Sequence, residues 1–144
     1  MTKNILCAID ISQDNDTNVL QIADKLAKVD DASLDVVTVV PNFGMTLVGS
    51  FFDENFQKQA VADAKSALKV RVEQILGPER NTAIRHIVAT GSVYEEILEV
   101  ASQVTADLIV IGAHKPDLKE FLIGPNAARV VRHSTCSVYV VRDS

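Results

Sequence analysis

The chain has 144 residues, of which 47% are hydrophobic and 23% charged, a balance that excludes disorder over most of its length and suits one domain spanning 1–144. Its 14 Lys and Arg against 19 Asp and Glu leave a net charge of -5 and a pI near 5.1, so the surface as a whole repels nucleic-acid phosphates and anionic lipid. Nucleic acid is therefore not an expected partner, and no apolar run approaches the ~20 residues that a membrane-inserted helix needs.

Met1-Thr2-Lys3-Asn4 leads directly into the apolar run Ile5 to Ile9, without the h-region or cleavage site of a signal peptide, which predicts a cytoplasmic protein. That run ends in Asp10 and reads as a first strand. The polar cluster Ser12 to Asp16 supplies candidate caps for a helix whose core face is Val19, Leu20, Ile22, Ala23, Leu26 and Ala27. Leu34 to Val40 is dense in β-branched residues and stops at Pro41, a second strand. The connection over 42–52 is too long and too apolar for a simple link and reads as a lid or a subunit contact. From Asp53 to about Leu76, the residues Phe56, Ala60, Ala64, Ala67, Leu68, Val72 and Ile75 recur at three and four, which predicts a long amphipathic helix covering one face of a sheet and stopped by Gly77-Pro78.

Ile84 to Ala89 is a third strand, and Gly91-Ser92 opens a helix in which Ser92 and Glu95 have capping-box spacing. Leu108 to Ile111 and Ser137 to Val141 are the fourth and fifth strands, with a helix from about Asn126 to His133 between them. Strands alternating with helices predict an α/β fold: a single doubly wound, Rossmann-like, five-stranded parallel sheet with helices on both faces. Cys7 and Cys136 each lie in an apolar, strand-like run and read as buried thiols rather than as a disulfide or zinc site.

In open parallel sheets, ligands sit beyond the carboxyl ends of the strands where the strand order reverses. The residues just past Ile9, Val40 and Ile111 are Asp10, Pro41 and Gly112. Asp10 either accepts hydrogen bonds from a ribose hydroxyl or base amine, or holds a metal, or caps the following helix. Gly112 lets the backbone turn off its strand, and Gly124 lets a phosphate approach the amides of Asn126 and Ala127 at a helix N-terminus. Two glycines at this separation serve equally well as turn residues. Neither a Walker loop nor a Gly-x-Gly-x-x-Gly follows the first strand, which disfavours P-loop hydrolysis and dinucleotide binding. His114 shares the loop after Gly112 but has no carboxylate or nucleophile placed to form a relay with it. His86 falls in a strand, His133 at a helix end where it complements the dipole, and Glu95, Glu96 and Glu99 on a solvated face. No catalytic residue and no metal ligand is assigned.

Five segments together resemble the universal stress protein family along essentially the whole chain: Ile5 to Ser12, Leu34 to Pro41, Gly91 to Ile97, Ala106 to His114, and Val130 to Val141. The run Gly124 to His133 is most similar to the nucleotide-binding F/G-type subgroup. The resemblance implies an adenine nucleotide α-hydrolase-like fold and an adenine nucleotide ligand, ATP or else AMP or ADP, with or without magnesium. It implies that Ala8 and Val39 flank the adenine, that Asp10 meets adenine or ribose, and that Gly112, Ala113, His114 and Lys115 with Gly124, Pro125, Asn126 and Ala127 surround the phosphates. It also implies a homodimer paired antiparallel through the last strand, with Val138 and Val140 at the seam and a dimer of dimers as a further arrangement.

ATP-binding members of that family carry Gly-x-x-Gly, nine residues, then Gly-Ser/Thr, and this chain departs from the pattern in three places. Lys115 replaces the middle glycine, eight residues separate it from Gly124, and Pro125 replaces the Ser/Thr. Pro125 brings neither a hydroxyl nor an N–H, while Lys115 brings a positive charge and Asn126 a side-chain amide. The expected function is a nucleotide-dependent sensor or regulatory adaptor in stress response. The alternatives are a nucleotide-free module of the same fold that binds an unidentified protein partner, favoured by Pro125 and Lys115, and a slow ATPase.

Overall fold

A computed structural model describes residues 2–12, 16–40, 54–113 and 124–142. The first strand, β1 (Asn4–Ala8), is followed by α1 (Thr17–Asp30) and β2 (Ser33–Val40). Alternate residues of β1 enter opposite cores, as the period-two geometry of a strand requires. Ile5 and Cys7 pack with Val19, Leu20, Ala23 and Ala27 of α1, whereas Leu6 and Ala8 pack on the other side of the sheet. The turn out of α1 uses Asp31 at φ 52, and the amide of Ala32 donates to the carbonyl of Ala27 at 2.8 Å. A left-handed residue of this kind terminates a helix, and Asp tolerates it better than most side chains.

The long helix α2 (Glu54–Leu76) buries Ala64, Leu68 and Val72 against the α1 side of the sheet. Each fully buried Leu or Val on that stripe contributes about 2 kcal/mol of transfer free energy. Phe56 departs from the expected stripe, with 48% of its surface exposed, and Ala67 is exposed as well. A short helix follows at once, α3 (Pro78–Thr82), where the sequence reading had only a stop. Gly77 at φ 93 breaks α2, and Pro78 occupies the first turn of α3, where its missing N–H costs nothing. Arg80 of α3 reaches the buried carboxylate of Asp24 on α1 at 2.5 Å, and Lys28 meets the same carboxylate at 3.0 Å.

Next come β3 (Arg85–Thr90), α4 (Val93–Gln103), β4 (Leu108–Gly112), α5 (Pro125–His133) and β5 (Ser137–Val141). The five strands are all parallel in the order β3-β2-β1-β4-β5. Helices α4 and α5 cover the second face through Ile97, Val100, Ala127 and Val130. Ser92 is the N-cap of α4 in an extended conformation, but its side chain makes no capping hydrogen bond. The capping box read from Ser92 and Glu95 is therefore not formed; Glu95 instead accepts from the Tyr94 hydroxyl at 3.2 Å, and Glu96 packs beside Gly91. Among the described residues, no helix is long and apolar enough to cross a membrane.

Cys7 is fully buried, as expected, but Cys136 is only half-buried. It lies one residue before β5, in a local turn where its amide donates to the Ser134 hydroxyl at 3.1 Å.

Candidate functional site

The strand order reverses between β1 and β4, so the segments leaving these two neighbouring strands run apart and a cleft opens at their carboxyl ends. Its volume is about 750 Å³. One wall is apolar and comes from the α4/α5 side of the sheet: Ala8, Val37, Val39, Val93, Ile97 and Ile111. The opposite wall comes from α2, through Ala60, Ala64 and Ala67, small residues on the face that meets the cleft, with Asp63 beside them. The polar rim consists of Asp10, Ser12, Asp16, Asp63 and Asn126.

Eight of the eleven residues read from the sequence line this cleft: Ala8, Asp10, Val39, Gly112, Gly124, Pro125, Asn126 and Ala127. Ala113 does not line it. It is buried one residue behind, where its amide donates to the carbonyl of Val141 at 2.8 Å and its carbonyl accepts from the amide of Gly124 at 3.0 Å. This pair of bonds closes the chain on itself, so the exit from β4 and the entrance to α5 are held together. His114 and Lys115 lie outside the described residues, as does the 42–52 connection.

Asp10 does not cap α1. That helix begins at Thr17 with Asp16 at its N-cap, while Asp10 closes a local turn by accepting from the amide of Ser12 at 2.9 Å and from its hydroxyl at 2.6 Å. The amide of Asp10 donates in turn to the carboxylate of Asp16. From outside, Arg71 of α2 donates to the carbonyl of Ile11 at 3.1 Å and ties the turn to the body of the protein.

Gly112 is needed for a reason other than the one read from sequence. It is still in β4, paired with Val141, and a Cβ there would stand 3.1 Å from Cγ2 of Val19 and 3.8 Å from Oδ1 of Asp16. Its role is to let the first turn of α1 lie against the strand end.

Asp16 is the residue that sequence reasoning missed. It is 9% exposed yet lines the cleft, and it joins the turn after β1 to the end of β4. Its charge also reaches the interior: the Cys7 thiol is pushed well above its ordinary value, first by burial and then by the Asp16 carboxylate, which leaves it inert. The one available signal was its position directly before the helix.

Also on the cleft, α5 starts with Gly124 as N-cap and Pro125 in its first turn. A helix start directs amides that have no intrahelical acceptor, together with the positive end of the helix dipole, toward the space in front of it. Here that space is the cleft. Its combination of an apolar wall, an acidic rim and a helix N-terminus at the strand-order reversal is an arrangement suited to a ligand with an aromatic base, hydroxyls and an anionic group.

The family profile described as the universal stress protein family matches residues 1–142. The chain belongs to this family. Universal stress protein G of Escherichia coli O157:H7 is 30% identical over 146 residues, covering 99% of this chain and 100% of that one. Among solved structures, the universal stress protein UspA from Lactobacillus plantarum superposes with a TM-score of 0.76 at 26% identity over 98% of each chain. The universal stress protein from Archaeoglobus fulgidus in complex with dAMP gives a TM-score of 0.67 at 22% identity, over 97% of this chain and 98% of that chain. That last likeness shows a shared fold.

In this universal stress protein the remaining candidates are structural. His133 stacks on Tyr94 with ring centroids 6.0 Å apart, and Arg129 lies over the same ring at 5.3 Å; none of the three lines the cleft. His86 Nε2 meets Asn81 Oδ1 at 2.6 Å. Among the described residues no group of three His, Cys, Asp or Glu is placed to hold a metal ion.

Proposed function

We propose that this universal stress protein binds an adenine nucleotide in the cleft and acts as a nucleotide-dependent sensor or regulatory adaptor in the cytoplasm. The observation that carries the reading is the meeting, in one cleft, of the apolar wall, the Asp10 carboxylate and the N-terminus of α5. The base lies against Ala8 and Val39, Asp10 accepts from a ribose hydroxyl or base amine, and the phosphate faces Asn126 and Ala127. The relative from Archaeoglobus fulgidus, solved with dAMP, supports an adenine ligand.

A regulatory role fits the wiring around the cleft. The segment that faces the phosphate is bonded to β5 through Ala113 and Val141, and β5 is one of the two edge strands of the sheet, with β3 at the other edge. An edge strand presents unpaired backbone groups, and pairing with a second copy satisfies them. Val138 and Val140 pack partly against the α4/α5 core, while Tyr139, 43% exposed, faces outward beside them. A homodimer formed there would place its seam one hydrogen-bonded layer from the ligand.

The test is a backbone amide NMR titration of the full chain with AMP and ATP. Binding in the cleft shifts the amides of Ala8 to Ser12, Gly112, Gly124, Asn126 and Ala127; absence of shifts at these residues contradicts the proposal. The second reading, a nucleotide-free module that binds a protein partner, is favoured by Pro125, which occupies the helix start without an N–H to give.

A further inference from the structure

Arg71 does not line the cleft, yet it touches the turn that carries Asp10. Its helix is anchored on either side of it: Leu68 and Val72 are both 0% exposed and belong to the core shared with α1. The two preceding turns of the same helix supply the cleft wall through Ala60, Asp63, Ala64 and Ala67. The turn after β1, by contrast, is exposed at Asp10 and Ser12, and an exposed turn holds one position only where something ties it down. Arg71 does so. Its guanidinium donates at 3.1 Å to the carbonyl of Ile11, the residue between Asp10 and Ser12 and itself part of the cleft lining. Within the turn, the amide and the hydroxyl of Ser12 both donate to one oxygen of Asp10, Oδ1, which fixes the rotation of the carboxylate and leaves Oδ2 as its second acceptor.

We infer that Arg71 is a positioning residue for the ligand: from α2 it holds the turn in the place where Asp10 accepts from the ribose or the base, an inference that rests on the adenine-nucleotide reading above. The contacts run without a break from the anchored helix through Arg71 and the Ile11 carbonyl to the Ser12 bonds that orient the Asp10 carboxylate. A charged donor makes the stronger kind of hydrogen bond. Holding an acceptor in place before the ligand arrives removes the cost of ordering it on binding. One helix thus supplies a wall of the cleft and holds the turn at its rim.

The experiment is a double-mutant cycle on the full chain, read as the AMP dissociation constant from an amide NMR titration, which extends to weak binding. Arg71→Met is expected to weaken AMP about three- to tenfold while Asp10 is present. In the Asp10→Asn background, where the acceptor that Arg71 positions has lost its charge, the same change is expected to cost less than about twofold. Arg71 has a further interaction besides that with Ile11, so the dependence on Asp10, rather than the loss alone, locates the effect. A merely structural role would lower the unfolding temperature of Arg71→Met and leave its AMP constant unchanged. Should that variant not fold, Arg71→Gln, whose side chain is too short to reach the carbonyl, takes its place in the cycle. An unchanged AMP constant, or a loss of equal size in both backgrounds, overturns the positioning role and leaves the nucleotide reading standing, whereas no binding of AMP by the wild-type chain overturns both.

Discussion

Gly112 and Asp16 show how single residues set the geometry of the cleft. A methyl group at Gly112 would press on Val19, which is 2% exposed and cannot move outward without lifting the first turn of α1. Gly112→Ala is therefore expected to destabilise the fold by about 1 kcal/mol, the low end of the cost of overpacking a filled core. A denaturant midpoint unchanged from wild type would show that Val19 yields freely. The sequence marked Gly112 correctly as a position of interest because it ends an apolar run, but it gave the wrong cause, since the neighbour that demands a glycine lies 93 residues away on α1. Asp16 was hidden for the same reason. As one of five polar residues before a helix it was indistinguishable from a cap, and only the tertiary contacts to Asp10 and Gly112 separate it from Ser12 and the rest.

At the level of elements, periodicity was sufficient for every strand and for the four longer helices, because each buries one face against the sheet and writes that face into its pattern. The fifth, α3, buries no residue and has no such pattern. It is held by Arg80 reaching Asp24, and its only local trace is Pro78 just after Gly77. The N-terminal part of α2 misled in the other direction: Ala60 and Ala67 have helical spacing with the core residues, yet they face the cleft.

The α3–β3 corner also carries a pH response. Burial, together with the nearby charges of Lys69 and Lys65, lowers the pKa of His86 below its ordinary value of 6.5. The folded state thus prefers the neutral ring, and the unfolded chain takes up the proton first as pH falls. The His86 contribution is fully present above about pH 6.5 and is lost on acidification below it. Unfolding free energy is expected to fall between roughly pH 7 and 5.5, above the range where carboxylates titrate, and to fall less in His86→Gln. Equal slopes for the two proteins would remove His86 as the cause.

For the molecule as a whole, the order β3-β2-β1-β4-β5 sets both where the cleft opens and which strands lie at the edges. Reversal between β1 and β4 opens the cleft, and the same crossing leaves β5 at the edge. The alternation of strands and helices made this architecture legible from the sequence, and with it the loops that face the cleft. What the sequence did not convey was that Asp16, just before α1, and Asp63, on α2, meet at one rim, because only the packed structure brings them together. Native mass spectrometry of the protein with AMP added tests the central claim most directly. The expected spectrum is a dimer carrying one nucleotide per protomer, and a spectrum of protein without nucleotide would contradict the assignment of the cleft.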